Sequence, residues 1–155
     1  HLAVQFARKM GCEVVGFSST DAKKDEAMEL GASHFVNSRD DDALKKARQS
    51  CDLIIATATA NLNWGRYVRA LRPNGTLCFV GVPSEPISVY AGQIQDNLQV
   101  TGSSIGGRQA MKDMLNFAAR HNVKSWTETL PMDAVNTALD RLRKNDVRYR
   151  FVLEK

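Results

Sequence analysis

Apolar positions along the chain switch between two spacings, and the switches predict strands and helices in turn. Leu2, Ala3, Phe6, Ala7 and Met10 recur at intervals that make one helical face, and Gly11 follows where a left-handed residue ends a helix. Residues 12–17 (CEVVGF) form a short β-rich run. Ser18, Ser19, Thr20 and Asp21 offer N-caps for a helix from Ala22 to Leu30, which Gly31 terminates. The cycle then repeats. His34 to Asn37 reads as a strand, and Asp40, Asp41 and Asp42 place negative charge at the start of a helix reaching about Gln49.

Asp52 to Thr57 (DLIIAT) is apolar at successive positions, as in a parallel strand covered on both faces. A helix is expected over Leu62 to Leu71, where the spacing of Trp64, Tyr67 and Leu71 marks a core face rather than a base-stacking platform. A turn at Pro73-Asn74-Gly75 leads into a buried strand from Thr76 to Val82. After an irregular stretch, Leu98 to Ser103 returns to strand. Gly107 to His121 is a long helix with Ala110, Met114, Phe117 and Ala118 on one side. A short extended piece lies within 124–130, Pro131 opens a helix to about Lys144, and Arg148 to Leu153 is the last strand.

Repeated strand-then-helix units with short connections predict an α/β fold, a doubly wound parallel sheet with helices on both faces. Such sheets bind ligands beyond the carboxyl ends of their strands. The positions that matter for chemistry are therefore those just after each strand, at Ser18, Thr57, Val82 and Ser103.

Composition narrows the function classes. The 155 residues are 43% hydrophobic and 25% charged, ordinary values for a globular domain and far from those of a disordered chain. The net charge of +4 is mild and its basic residues are dispersed, so no nucleic-acid partner is implied. No apolar run approaches the length of a membrane span, and the first residues lack the order of a secretory leader. Cys12, Cys51 and Cys78 are odd in number and lie in or beside apolar stretches, which predicts free buried thiols in a reducing compartment, the cytoplasm. Neither these cysteines nor His1, His34 and His121 have zinc-ligand spacing, so no metal site is expected within the chain.

The segment after CEVVGF carries the most specific chemistry. In a dinucleotide fold the end of the second strand faces the adenosine ribose, where a carboxylate would bind the 2′-hydroxyl and repel a 2′-phosphate. Here Ser18 and Ser19 occupy that place, and Lys23 and Lys24 follow in the first helical turn. Hydroxyls and an ammonium suit a phosphate through charge-assisted hydrogen bonds. The pattern alone also fits a solvated helix cap with two surface lysines. The glycine fingerprint G-x-G-x-x-G is absent, since the run GSSIGG from Gly102 has the wrong spacing and follows a late strand. The chain starts inside a helix with no strand before it, so the first strand and its glycine turn are expected upstream. Residues 1–155 are thus read as one Rossmann-like domain truncated at its N-terminus.

With these segments in view (HLAVQFARKMG, EVVGFSSTDAKKDEAMELGASHFVNS, DLIIATAT, LRPNGTLCFVGVP, LQVTGSSIGG, NDVRYRFVLEK) the chain resembles the cofactor-binding domain of zinc-type medium-chain alcohol dehydrogenases. It is most similar to their NADP-dependent cinnamyl alcohol dehydrogenase branch. The resemblance implies 2′-phosphate contacts from Ser18, Ser19 and Lys23, with Lys24 as a helper. It implies ribose and nicotinamide contacts from Thr57, Ala58, Val80, Gly81, Val82, Ser103, Ser104 and Ile105. It places Arg148 near the pyrophosphate. The cofactor implied is NADP, with zinc held by an N-terminal domain that this chain does not contain.

The implied activity is hydride exchange between NADPH and a small aldehyde–alcohol pair, carried out by a parent protein, with this part inactive alone. A homodimer is expected through the segment from Ser88 to Ser104. Two other readings remain open on sequence: a zinc-free quinone or enone reductase of the same superfamily, and a non-catalytic nucleotide-binding module.

Overall fold

The computed structural model describes residues 1–144 and 146–155. The chain begins with helix α1 (Leu2–Lys9), and Gly11 follows at φ 90°, as its place after the helix predicts. Strand β1 (Val15–Ser18) leads through a 3-10 turn at Asp21–Lys23 into α2 (Lys24–Glu29), and Gly31 at φ 108° ends that unit. Strand β2 (His34–Asn37) and α3 (Asp41–Lys46) follow. Asp40 caps α3: its carboxylate accepts from the backbone of Asp42 at 2.9 Å and Ala43 at 3.2 Å, satisfying two otherwise unpaired amides.

The next units are β3 (Cys51–Ala56), α4 (Trp64–Val68), β4 (Leu71–Phe79) and β5 (Gln99–Gly102). Helix α5 (Arg108–His121), β6 (Thr127–Pro131), α6 (Val135–Arg143) and β7 (Arg150–Glu154) complete the chain. Pro131 stands just ahead of the last helical unit, which opens with a 3-10 turn at Met132–Ala134. Among the described residues no helix is long and apolar enough to cross a membrane.

Every strand pairing is parallel, as expected, but the strands form three ladders: β1-β2, β3-β4-β5 and β6-β7. In the doubly wound order 3-2-1-4-5-6 the first strand is central. The order β2-β1 followed by β3-β4-β5 is what that arrangement leaves when the first strand is taken out. Side chains join the first two ladders: Phe17 of β1 meets the ring of Tyr67 edge-on, with centroids 5.9 Å apart.

The core lies on one face of β3-β4-β5, under α4. Ile54, Ala56, Leu77 and Phe79 point into it and meet Trp64, Tyr67 and Val68. Trp64 stacks edge-on against Phe79 at 4.6 Å, and Leu77 is fully buried. The other face corrects the expectation of a strand covered on both sides. Leu53 is 54% exposed and Ile55 43%. The helix that could cover them, α5, has no buried residue and instead contacts α1 through Phe6 and Phe117 at 5.9 Å.

Two further expectations are revised. The turn at Pro73-Asn74-Gly75 lies inside β4, as a break in its ladder: Leu71 opposes Cys51, and the next pair is Thr76 with Leu53. Asn74 takes φ 65° there, a conformation asparagine tolerates better than most residues. Cys12 is exposed because it follows the end of α1, whereas Cys51 is buried and Cys78 half-buried; all three are free.

Candidate cofactor-binding site

The carboxyl ends of β3, β4 and β5 form one continuous rim. The amides of Val80 and Gly81 both donate to the carbonyl of Ala56, at 3.0 and 2.9 Å, and the amide of Ser103 donates to that of Phe79 at 2.9 Å. These bonds bring Thr57, Ala58, Val80, Gly81, Val82 and Ser103 together, with Ser104 and Ile105 next in the chain. Gly81 is required by close approach, since a Cβ there would lie 2.4 Å from the carbonyl oxygen of Ala58. Val82 is 81% exposed and Ile105 88%. Hydroxyls beside exposed apolar side chains make a surface that can bind a sugar through the former and cover a flat ring with the latter.

The end of β1 forms the second part of the site. Ser18 is half-buried and its hydroxyl oxygen accepts from the amide of Thr20 at 3.4 Å, which leaves the hydroxyl proton free to donate outward. Thr20 caps the following turn, accepting from the amide of Ala22 at 3.3 Å. Ser19, Lys23 and Lys24 are exposed, with Lys23 ending that turn and Lys24 opening α2. No carboxylate occupies the first two positions after the strand core. The nearest acid, Asp21, accepts from the side chain of Asn37 at 2.9 Å. Asn37 had no signal in the sequence pattern, because its role depends on β2 lying beside β1.

Arg148 lies just ahead of β7, beside α2. Its guanidinium pairs with Glu26 of α2, and its amide donates to Glu128 of β6 at 2.7 Å. The His1 ring stacks on Tyr149 at 4.5 Å, so residues 149–150 border the N-terminus of α1, where an anion is favoured.

The chain as a whole has known relatives. The family model for zinc-binding dehydrogenases matches residues 1–120. A probable cinnamyl alcohol dehydrogenase of Oryza sativa subsp. japonica is 42% identical over 99% of this chain, and a probable formaldehyde dehydrogenase of Bacillus subtilis is 40% identical over 99%. The chain spans 43% and 44% of those two proteins' own lengths. Among solved structures, a cinnamyl alcohol dehydrogenase of Sorghum bicolor superimposes with a TM-score of 0.93 at 40% identity, covering 97% of this chain and 43% of that one. The Helicobacter pylori enzyme described as CAD complexed with NADP(H) gives 0.83 at 28% identity, with the same coverage of each chain. The two rims thus share the relative placement they have in a solved dehydrogenase, and the chain belongs to the zinc-binding dehydrogenase family.

Proposed function

We propose that this chain is the NADP(H)-binding part of an oxidoreductase that moves a hydride between NADPH and a small aldehyde–alcohol pair. One observation carries the choice of cofactor: the end of β1 offers the hydroxyls of Ser18 and Ser19 and the ammonium of Lys23 where an NAD-selective site would place a carboxylate. A phosphate of charge near −2 gains charge-assisted hydrogen bonds there. The second rim takes the other end of the cofactor. Thr57, Ser103 and Ser104 face the sugar, while Val80, Val82 and Ile105 shield the nicotinamide from water, with Ala58 and Gly81 shaping the gap between the strand ends.

Bound NADPH supplies the hydride, and the protein's part is to orient the reactive ring and exclude water from it. Among the described residues no three His, Cys, Asp or Glu side chains gather as a metal site, so this part of the protein does not fit a zinc ion. We assign zinc and the substrate pocket to an N-terminal domain of the parent protein. The strand completing the sheet, with its glycine turn, is assigned to the segment before His1, between the free edges of β1 and β3. Exposed β5 is assigned to a homodimer contact. The cytoplasm is the proposed compartment.

The test uses the parent protein. Lys23→Ala combined with Ser18→Asp should weaken NADPH relative to NADH by about tenfold or more, a change of about 1.4 kcal/mol. An unchanged preference would remove both residues from the site. NADPH-dependent reduction across a panel of aldehydes tests the reaction class, and its absence would favour a non-catalytic nucleotide-binding role. Sedimentation as a monomer at micromolar concentration would refute the dimer.

A further inference from the structure

A 2′-phosphate carries close to two negative charges at neutral pH, and a single ammonium balances about half of that. Lys23 provides one positive charge on one side of the β1 rim. The structure brings a second cation to the other side. Strands β1 and β2 run parallel with Ser18 opposite Asn37, and the amide of Ser38 donates to the carbonyl of Ser18 at 2.7 Å. Adjacent strands lie about 4.8 Å apart, so the residue after Ser38 emerges within one side-chain length of the Ser18 and Ser19 hydroxyls. That residue is Arg39, which is exposed and belongs to no ion pair among the described residues.

Asn37 fixes the two turns to each other. Its side-chain amide donates to Asp21 at 2.9 Å, in the turn that carries Lys23, while its side-chain oxygen accepts from the backbone amide of Arg39 at 3.0 Å. The neighbouring acids are engaged inward. Asp21 accepts from Asn37, and Asp40 caps α3 through two backbone amides. Arg39 is therefore left with a free planar fork, which matches phosphate oxygens in pairs as an ammonium cannot.

We propose that Arg39 is the second cation of the 2′-phosphate site and a determinant of NADPH preference, held at the correct distance from Lys23 by Asn37. This rests on the NADP(H) reading above. In the parent protein, dissociation constants for NADPH and NADH are measured for Arg39→Ala, Arg39→Lys and Lys23→Ala. Arg39→Ala should weaken NADPH about tenfold and leave NADH unchanged, with Arg39→Lys recovering part of the loss. Equal weakening of both cofactors, or no change in NADPH, overturns the role of Arg39. If Lys23→Ala alone lowers the preference, the phosphate site stands without Arg39. If neither variant lowers it, the NADP(H) reading fails together with the proposal.

Discussion

The phenolic hydroxyl of Tyr149 donates to the carboxylate of Glu26 at 2.5 Å, joining residues 123 positions apart in sequence. The same carboxylate, 17% exposed, pairs with Arg148. Helix α2, which follows the Lys23 turn, is thereby tied to the segment leading into β7. Glu26→Ala should destabilise the fold by about 1–3 kcal/mol, because it strands a partly buried hydroxyl and a cation at once. Tyr149→Phe should cost less, about 0.5–1.5 kcal/mol, since Glu26 keeps Arg148. Thermal melts that rank the two variants in reverse order would show that the arginine contact adds nothing to stability.

Burial raises the pKa of Tyr149 above its ordinary value of 10.0, and the nearby charge of Arg148 works in the opposite direction. A raised folded-state value means that the folded chain favours the neutral phenol. Its contribution is fully present below the unfolded value and is lost as pH climbs through the folded one. The stability advantage of the wild type over Tyr149→Phe should accordingly shrink above pH 10.0, and melts of the pair across that range would expose a difference of the wrong sign.

Gly81→Ala tests the contact between the ends of β3 and β4. The new methyl would stand 2.4 Å from the Ala58 oxygen and 2.7 Å from that of Thr57, and both obstacles are backbone atoms. Relief requires the rim to open, at a cost of about 1–3 kcal/mol. NADPH and NADH should both bind more weakly, because in the proposed site this end lies away from the 2′-phosphate. Unchanged titrations for both cofactors would show that the strand ends part without effect on binding.

Leu77→Ala removes the most buried large side chain, at 0% exposure, from between α4 and the sheet. The expected loss is about 2–5 kcal/mol, a large share of a domain's net stability. Denaturant midpoints measure it, and a loss typical of a surface position would mean that the core is looser than its packing indicates.

Asp40→Ala removes the cap of α3 and should lower stability by about 1 kcal/mol. Asp41→Ala is the control, since its carboxylate reaches Arg66 rather than the helix amides. Similar melts for the two variants would argue that α3 draws on the charge of its first turn and not on the cap.

Local signals carried most of the element order. Gly11 and Gly31 ended the predicted helices because both adopt a left-handed backbone, and His34–Asn37 was bounded correctly because its apolar pair lies between polar residues. The location of Ser18, Ser19 and Lys23 at the end of β1 and in the following turn was legible because they follow a strand directly. Signals that depend on neighbours distant in sequence were not legible. Helix α4 is shorter than its apolar spacing implied, since Ala70 and Leu71 are buried as the chain passes into β4 rather than on the helix. The pairing of Arg148 with Glu26, from another unit, carried no signal in the sequence. Asn37 and Arg39 became visible only once β2 lay beside β1.

Among the described residues β1-β2 and β3-β4-β5 share no hydrogen-bonded ladder, and Phe17 against Tyr67 is a side-chain contact that joins them. In the proposed site the adenosine end stands on the first ladder and the nicotinamide end on the second, so this contact helps to set their spacing. A dinucleotide spanning both acts as a ruler between them. Trimming the Phe17 ring would alter the calibration of that ruler while leaving every polar group at either end intact.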